Sequence, residues 1–334
     1  MAGKIWVGVN VNTRATLIVP EYTFKKLLEL AALVDELGFD SVWVGDSFAA
    51  RPRLDPLTTL AAIAVKTSKV RLGTACLNFP WRNALLFAQQ WATLDLLSGG
   101  RTVLGLGTGL GSRKTPIEKE YEMLGIPFKD RVERLEEGVY VLKKLWTENN
   151  VSYRGRFYAF EDLTLEPKPL QKPHPPIYLV AWPFKWRDVD NLYPVDARLS
   201  RRMMERVAKI GDGWMVDGGT TPASWRKCYE ELAEAASKYG RDLEQITTCI
   251  QFTGTISNER EKAQSEGRIF LSEYYYAEKY DPISFFHCFG TPDDWIKSID
   301  EYIEAGMRGF ILRFAAKDQF GQVKIFSDHV MPSL

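Results

Sequence analysis

A repeated alternation of short apolar strands and amphipathic helices constrains the fold of this chain most strongly. The patterns predict strands at 4–11, 39–45, 70–77, 101–107, 176–181, 213–217, 246–255 and 309–314. They predict helices at 23–37, 57–67, 83–97, 129–146, 201–210, 222–239, 259–275 and 291–305. Continuous apolar strands separated by helices are typical of a parallel sheet covered on its outer face. Eight such units in 334 residues predict an α/β fold of the (β/α)8 TIM-barrel class.

Three connections are longer than a minimal barrel needs, namely the loops after strands 4, 5 and 7. The segments 147–175 and 182–198 contain no clear barrel element, so we interpret them as insertions. Residues 182–194 are rich in aromatic side chains and predict a lid or a pocket wall, with a dimer-interface loop as the alternative. A second aromatic stretch runs from Tyr274 to His287. No break in composition divides the chain, which predicts one domain over 1–334.

Composition excludes several classes of function. Lysine plus arginine equals aspartate plus glutamate at 43 each, so no net charge favours nucleic acid or an acidic membrane as a partner. The four cysteines and three histidines are scattered, and their spacing indicates neither a metal site nor a disulfide framework. No apolar run reaches 18 residues, and no leader pattern opens the chain, so we expect a cytoplasmic protein.

Polar residues follow the predicted strands at the end where barrel enzymes carry their sites. They are Asn10, Asn12, Asp46, Ser47, Asn78, Thr108, Trp182, Asp217 and Arg313. Each also has a structural interpretation. Asp46 is suited to cap the turn that follows it, Trp182 to pack in the core, and Arg313 to pair with a carboxylate at the barrel rim.

The fourth predicted strand ends in an unusual run of glycines. Gly105, Gly107, Gly109 and Gly111 alternate with other residues, and Thr108 lies between two of them. Exposed N–H groups beside a threonine hydroxyl suit phosphate oxygens, although close backbone packing is the alternative. The spacing is not that of the dinucleotide-binding fingerprint.

Several motifs, taken together in order and spacing, resemble the bacterial luciferase-like flavin monooxygenase superfamily, which includes the coenzyme F420-dependent oxidoreductases. They include Leu72-Gly-Thr-Ala-Cys-Leu77, Arg82, Ala92-Thr-Leu-Asp95, Leu97-Ser-Gly-Gly-Arg101, Leu104-Gly-Leu-Gly-Thr-Gly109, Gly155-Arg-Phe-Tyr158 and Gly211-Asp-Gly-Trp214. The resemblance covers nearly the whole chain. It implies a barrel whose mouth holds either F420 as a hydride carrier or reduced FMN, which a separate flavin reductase supplies for reaction with O2. It also implies a homodimer.

The resemblance, together with the strand-end residues and the insertion after strand 5, predicts a cofactor site and a substrate site. It implies a non-prolyl cis peptide at Ala75–Cys76 behind the ring and backbone contacts from Gly107, Thr108 and Gly109. The full predicted cofactor set is Asp46, Ala75, Cys76, Asn78, Gly107, Thr108, Gly109, Ala181, Trp182, Ser200 and Arg201. Ser200 and Arg201 enter as a possible phosphate site at a helix start, with solvated helix-surface residues as the alternative. The predicted substrate set is Ser47, Asn12, Trp182, Phe184, Trp186 and Arg313.

The chain departs from its relatives where some of them carry catalytic groups. Ser47 stands where the sugar-phosphate and alcohol dehydrogenases and luciferase have histidine, and Leu110 stands where those dehydrogenases have glutamate. We therefore predict Asp46, Asn10 and Asp217 as the catalytic residues. F420-dependent hydride transfer is the first hypothesis and reduced-FMN monooxygenation the second. A relative that binds flavin without catalysis is the third.

Overall fold

The eight barrel strands close on themselves through parallel pairing. The computed structural model describes residues 4–109, 116–181, 184–188, 191–194, 197–216, 218–275 and 281–334. The barrel strands are β1 (Trp6–Asn10), β2 (Ser41–Val44), β3 (Arg71–Thr74), β4 (Thr102–Gly107), β5 (Ile177–Val180), β6 (Gly213–Val216), β7 (Thr247–Ile256) and β8 (Gly309–Phe314). Each strand pairs with its neighbour in sequence, β1 pairs with β8, and β6 pairs with β7. This pairing confirms the predicted TIM barrel.

Helices form the outer layer between the strands. They are α1 (Ala15–Ile18), α2 (Phe24–Glu36), α3 (Pro56–Ala64), α4 (Ala84–Leu97), α5 (Pro116–Met123), α6 (Arg131–Thr147), α7 (Ala197–Ile210), α8 (Pro222–Lys238), α9 (Arg260–Tyr275), α10 (Pro292–Ala305) and α11 (Gln319–His329). Single 3-10 turns lie at Phe79–Trp81, Phe128–Asp130, Leu243–Gln245, Pro282–Phe285 and Met331–Ser333. None of the described helices is long and apolar enough to cross a membrane.

Local sequence signals explain where several helices begin. Thr221 and Thr291 open α8 and α10 with reciprocal capping boxes, each followed directly by a proline that suits the first helical turn. Asp55 caps α3 from one side only, since its carboxylate accepts from the N–H of Thr58. These caps fix the entry of each helix just after the strand end that carries the mouth of the barrel.

The floor of the barrel is aromatic. The rings of Trp6 and Trp43 stack at 6.3 Å, and Trp43 stacks on Tyr178 at the same distance. Glycines make the room: a Cβ at Gly73 would lie 2.2 Å from the Trp43 ring, and one at Gly309 would lie 2.3 Å from the Trp6 ring. The barrel is therefore filled below the mouth, and a ligand has space only above this layer.

The predicted insertions contain more regular structure than their sequences indicate. Residues Val151–Arg154 pair with Ala159–Leu163 inside the segment 147–175, and Phe184–Asp188 pair with Asn191–Pro194 inside 182–198. Both are antiparallel hairpins, whereas the sequence predicted loops. The helices α1, α5 and α11 were also not predicted. After β7, Cys288–Gly290 adds a short strand beside the end of that strand.

The third predicted strand, 70–77, is interrupted. β3 ends at Thr74, the peptide between Ala75 and Cys76 is cis, and the short strand Leu77–Asn78 then pairs with β4. The cis peptide lies where the family resemblance implied it.

Candidate active site at the mouth of the barrel

Asp46 lies directly beyond β2 and organises the chain that follows β3. Its carboxylate binds the Arg82 guanidinium in a bidentate ion pair, with N–O distances of 2.6 and 3.1 Å. The same carboxylate accepts from the N–H of Asn78 at 2.9 Å, and the Asn78 amide donates to the Asp46 carbonyl at 3.0 Å. Both carboxylate oxygens are thus engaged by protein groups. This arrangement favours a positioning role for Asp46 over the predicted catalytic one.

Ser47 takes part in a second buried network that fixes the loop after β2. One oxygen of Glu120, on α5, accepts from the Ser47 hydroxyl at 2.9 Å and from the N–H groups of Phe48, Ala49 and Ala50 at 2.7 to 3.0 Å. Glu120 is fully buried, and its other oxygen has no hydrogen-bond partner in the part of the chain that the structure describes. The serine hydroxyl is therefore held by a carboxylate rather than presented to a substrate. Glu120 was not identified from the sequence, because nothing marks α5 as a helix over the mouth.

The glycine-rich end of β4 forms a bare stretch of backbone. A Cβ at Gly107 would lie 2.6 Å from the Sγ of Cys76 across the strand interruption. Gly109 has φ +76°, a conformation that favours glycine. The strand is buried as far as Gly107, and Thr108 and Gly109 are partly exposed. The Tyr121 hydroxyl donates to the Thr108 carbonyl at 2.7 Å, and burial raises the pKa of that phenol, so it stays neutral.

Three buried amide side chains lie at the mouth. The Asn10 amide donates to the Gln251 side-chain oxygen at 2.9 Å, and both residues are buried. Asn12 is also buried and accepts from the N–H of Ala15. Its amide nitrogen has no partner among the residues described, so it is available to donate to a ligand. A substrate contact by Asn12 stays a prediction.

A group of arginines occupies the side of the mouth formed by β8, β1 and β2. Arg313, at the end of β8, donates to the Thr253 hydroxyl at 2.9 Å. Arg14, Arg51 and Arg53 join it around the rings of Tyr274 and Tyr275. We call Arg14, Arg51, Arg53 and Arg313 the arginine cluster. Of these four, the sequence predicted only Arg313.

The cluster changes the chemistry of the tyrosine it surrounds. Burial raises the pKa of Tyr274, whereas the charges of Arg53, Arg313, Arg51 and Arg14 lower it, and the net shift is downward. The predicted aromatic stretch from Tyr274 to His287 gave no indication of this shift, because the arginines come from the segments after β1 and after β2 and from β8 itself.

The remaining predicted residues fall elsewhere or outside the described chain. Ala181 is buried, and its carbonyl accepts from the Trp214 indole. Ser200 lies inside α7, where its hydroxyl donates to Glu231, and Arg201 is exposed. A carboxylate beside Ser200 repels phosphate, so this geometry does not favour the predicted phosphate site. Trp182 and Asp217 lie outside the described residues. Phe184 and Trp186 belong to the strand Phe184–Asp188, of which the structure describes only the backbone. In the described ranges, no group of three or more His, Cys, Asp or Glu residues is suited to hold a metal.

The barrel agrees with the family comparison. The model of the luciferase-like monooxygenase family matches residues 7–309, and the chain belongs to this family. Its relatives divide into two chemistries. The chain is 26% identical to an F420-dependent glucose-6-phosphate dehydrogenase of Amycolatopsis mediterranei, over 93% of this chain and 94% of the relative. It is 34% identical to an FMNH2-dependent dimethylsulfone monooxygenase of Pseudomonas putida, over 45% of this chain and 41% of the relative.

A solved structure shares the fold over the same extent. A monooxygenase from Streptomyces bottropensis superposes with a TM-score of 0.79 at 22% identity, covering 98% of this chain and 99% of that chain. This likeness supports the barrel and does not choose between the two chemistries.

Proposed function

We propose that the chain is an oxidoreductase that uses coenzyme F420 to transfer a hydride to or from a small organic substrate. The observation that carries this proposal is the extent of the similarity. It spans nearly the whole chain for the F420-dependent glucose-6-phosphate dehydrogenase and less than half of it for the FMNH2-dependent relative.

The β3–β4 side of the mouth fits a flat cofactor. The chain at Cys76 packs against the end of β4, where the lack of a side chain at Gly107 makes room for the Cys76 Sγ. Thr108 and Gly109 then offer a hydroxyl and backbone N–H groups at the exposed rim, which suit a phosphate-bearing tail. When bound, the deazaflavin supplies the hydride chemistry itself.

The protein residues supply position and polarity. Asp46 holds Asn78 and Arg82 in place behind the cofactor side, and Glu120 holds the loop that starts at Ser47. Asn10 and Gln251 present a hydrogen-bonded polar pair at the barrel centre, and Asn12 offers a donor to the substrate. Catalytic roles for Asn10 and Asp217 remain part of the proposal.

A direct binding test separates this proposal from its alternatives. The purified protein is titrated with F420, FMN and reduced FMN while cofactor fluorescence, or protein fluorescence for reduced FMN, is followed. We expect tight binding of F420 and weak binding of both flavins. Binding of reduced FMN together with oxygen consumption would support the second hypothesis, which the FMNH2-dependent relative favours. Binding of none of the three would contradict both reactions and the flavin-binding alternative.

We propose further that the protein is a cytoplasmic homodimer that needs a separate flavin reductase only if FMN is its cofactor. The exposed leucines Leu86 and Leu97 on α4 support a second copy as partner, because large exposed apolar side chains are often covered by association. Light scattering after size-exclusion chromatography tests the dimer, which predicts twice the 38.1 kDa chain mass.

A further inference from the structure

Four guanidinium groups converge at one side of the mouth. The Cζ atoms of Arg14, Arg53 and Arg313 lie 5.4, 5.8 and 5.8 Å from the centre of the Tyr274 ring. The Cζ of Arg51 lies 4.5 Å from the centre of the Tyr275 ring. Backbone carbonyls orient two of the four: Arg14 donates to the Pro52 carbonyl and Arg53 donates to the Arg51 carbonyl. The arginine cluster is therefore built and held, rather than formed by solvated surface chains.

Two members of the arginine cluster sit above the barrel interior. Arg313 follows Ile311 by two residues on β8, and Ile311 packs in the interior layer with Trp43. Arg53 reaches back over the end of β2, where a Cβ at Gly45 would lie 2.1 Å from its Nη1 atom. Because Gly45 has no side chain, the Arg53 guanidinium fits beside it. This places the guanidinium above the aromatic layer that fills the barrel.

The arginine cluster concentrates positive charge in a poorly hydrated place. Arg14 is 2% exposed and Arg313 is 8% exposed. Within the residues that the structure describes, no carboxylate forms an ion pair with Arg51 or Arg53. Aromatic faces offset part of the mutual repulsion, by about 0.5–2 kcal/mol for each contact. Arginine forks match the planar oxygens of carboxylates and the oxygens of phosphates.

The surroundings of the arginine cluster distinguish the substrate from the cofactor. In the closed ring of eight strands, β8 lies opposite β4, so Arg313 faces the Thr108 side across the mouth. Phe286 lies 4.9 Å from the Arg313 Cζ, and Tyr275 lies beside Arg51, so the anion site has an aromatic wall. We infer that the arginine cluster binds a carboxylate or phosphate group of the substrate, and that the rest of this substrate is apolar. This inference rests on the proposed function, because it assigns the opposite side of the mouth to the cofactor.

Charged and neutral probes that carry the same phenyl ring test the inference. The protein, with and without F420, is titrated with benzoate, phenyl phosphate and the neutral benzamide by calorimetry. The variants are Arg53→Gln and Arg313→Gln. The matched control is Arg154→Gln, whose side chain is exposed on the hairpin formed by Val151–Arg154 and Ala159–Leu163. Thermal unfolding of each variant checks that it is folded, and Arg53→Gln serves alone if the more buried Arg313→Gln does not fold.

We expect at least one of the two anions to bind tenfold or more tightly than benzamide in the parent and in Arg154→Gln. This preference should fall to threefold or less in the cluster variants, with F420 affinity unchanged within threefold. Equal affinity for anions and benzamide in the parent, or an anion preference that survives in the variants, would overturn the inference. A tenfold loss of F420 affinity in the cluster variants would also overturn it, because the arginine cluster would then hold the cofactor tail. If the parent does not bind F420 at all, the proposed function fails, whereas the anion titrations without F420 still decide the inference.

Discussion

The two sides of the barrel mouth differ in the groups that line them. The β3–β4 side is lined by backbone: Gly107 and Gly109 carry no side chains, and the charge of Asp46 is matched by Arg82. The β8–β1–β2 side is lined by long cationic side chains, which converge on Tyr274. Bare backbone suits a flat cofactor, whereas converging arginines suit an anionic group of one kind of substrate. The comparison therefore predicts that changes on one side affect one ligand and leave the other nearly unaffected.

The largest effect is expected at the ion pair behind the cofactor side. Asp46→Asn leaves the charge of Arg82 without its partner, and the two side chains are only 7% and 19% exposed. Breaking a buried pair costs about 3–5 kcal/mol, and we expect the lower end here because Arg82 is partly solvated. Urea unfolding should report this loss of stability, and F420 affinity should fall at least tenfold.

Benzoate affinity per folded molecule should stay within threefold in Asp46→Asn. In the double variant Asp46→Asn with Arg82→Gln, the unpaired charge is gone, so the loss of stability should be smaller than in the single variant. A double variant that is less stable than the sum of both single changes would contradict a paired-charge role for Asp46.

The next effect is expected where a side chain is added to the bare backbone. In Gly107→Ala the new methyl group lies 2.6 Å from the Cys76 sulfur, so one of the two segments must move. Overpacking of this kind costs about 1–3 kcal/mol, which we expect to appear as a roughly tenfold loss of F420 affinity. Cys76→Ala should restore most of that affinity in the double variant, since it removes the clashing sulfur. Fluorescence titration of all three variants checks this. If the F420 affinity of the double variant were no higher than that of Gly107→Ala, the cofactor would not bind at this surface.

A smaller effect should link the two sides. Glu120 lies on α5, beside the cofactor side, yet its carboxylate holds the loop that leads to Arg51 and Arg53. In Glu120→Gln the four donors on one oxygen lose a charged acceptor, and about 1.5–3 kcal/mol is typical of a hydrogen bond to a charged group. We expect a threefold to fivefold weaker binding of benzoate and little change for F420, by calorimetry. Glu122→Gln, on the exposed face of the same helix, is the matched control. If F420 affinity fell more than benzoate affinity, the loop would belong to the cofactor side.

The difference between the two sides also explains which parts of the site the sequence predicted. The strand rhythm and the glycine run lie in continuous segments, so β4 was found together with the fold, whereas the interruption at Ala75–Cys76 was implied only by the family resemblance. The arginine cluster draws on residues after β1, after β2 and on β8, which meet only when the barrel closes. Ser47 and Asp46 were located correctly at strand ends. Their partners Glu120 and Arg82 give them roles that neighbouring residues in the sequence did not reveal.

The smallest expected effect concerns the ionisation of Tyr274. Because the arginines lower its pKa below the ordinary value for tyrosine, this phenol should lose its proton before the other buried tyrosines as the pH rises. The folded state favours its ionised form, so the resulting contribution to stability is fully present above the unfolded pKa and is lost as the pH falls through the folded pKa.

Ultraviolet absorbance of tyrosinate should show one early titration in the parent and none in Tyr274→Phe. Bound benzoate adds a negative charge among Arg14, Arg51, Arg53 and Arg313, and it should move that titration to higher pH. Benzamide, which carries no charge, should not move it. If benzoate left the pH of this early titration unchanged, the anion would not bind among the arginines that lower the pKa of Tyr274.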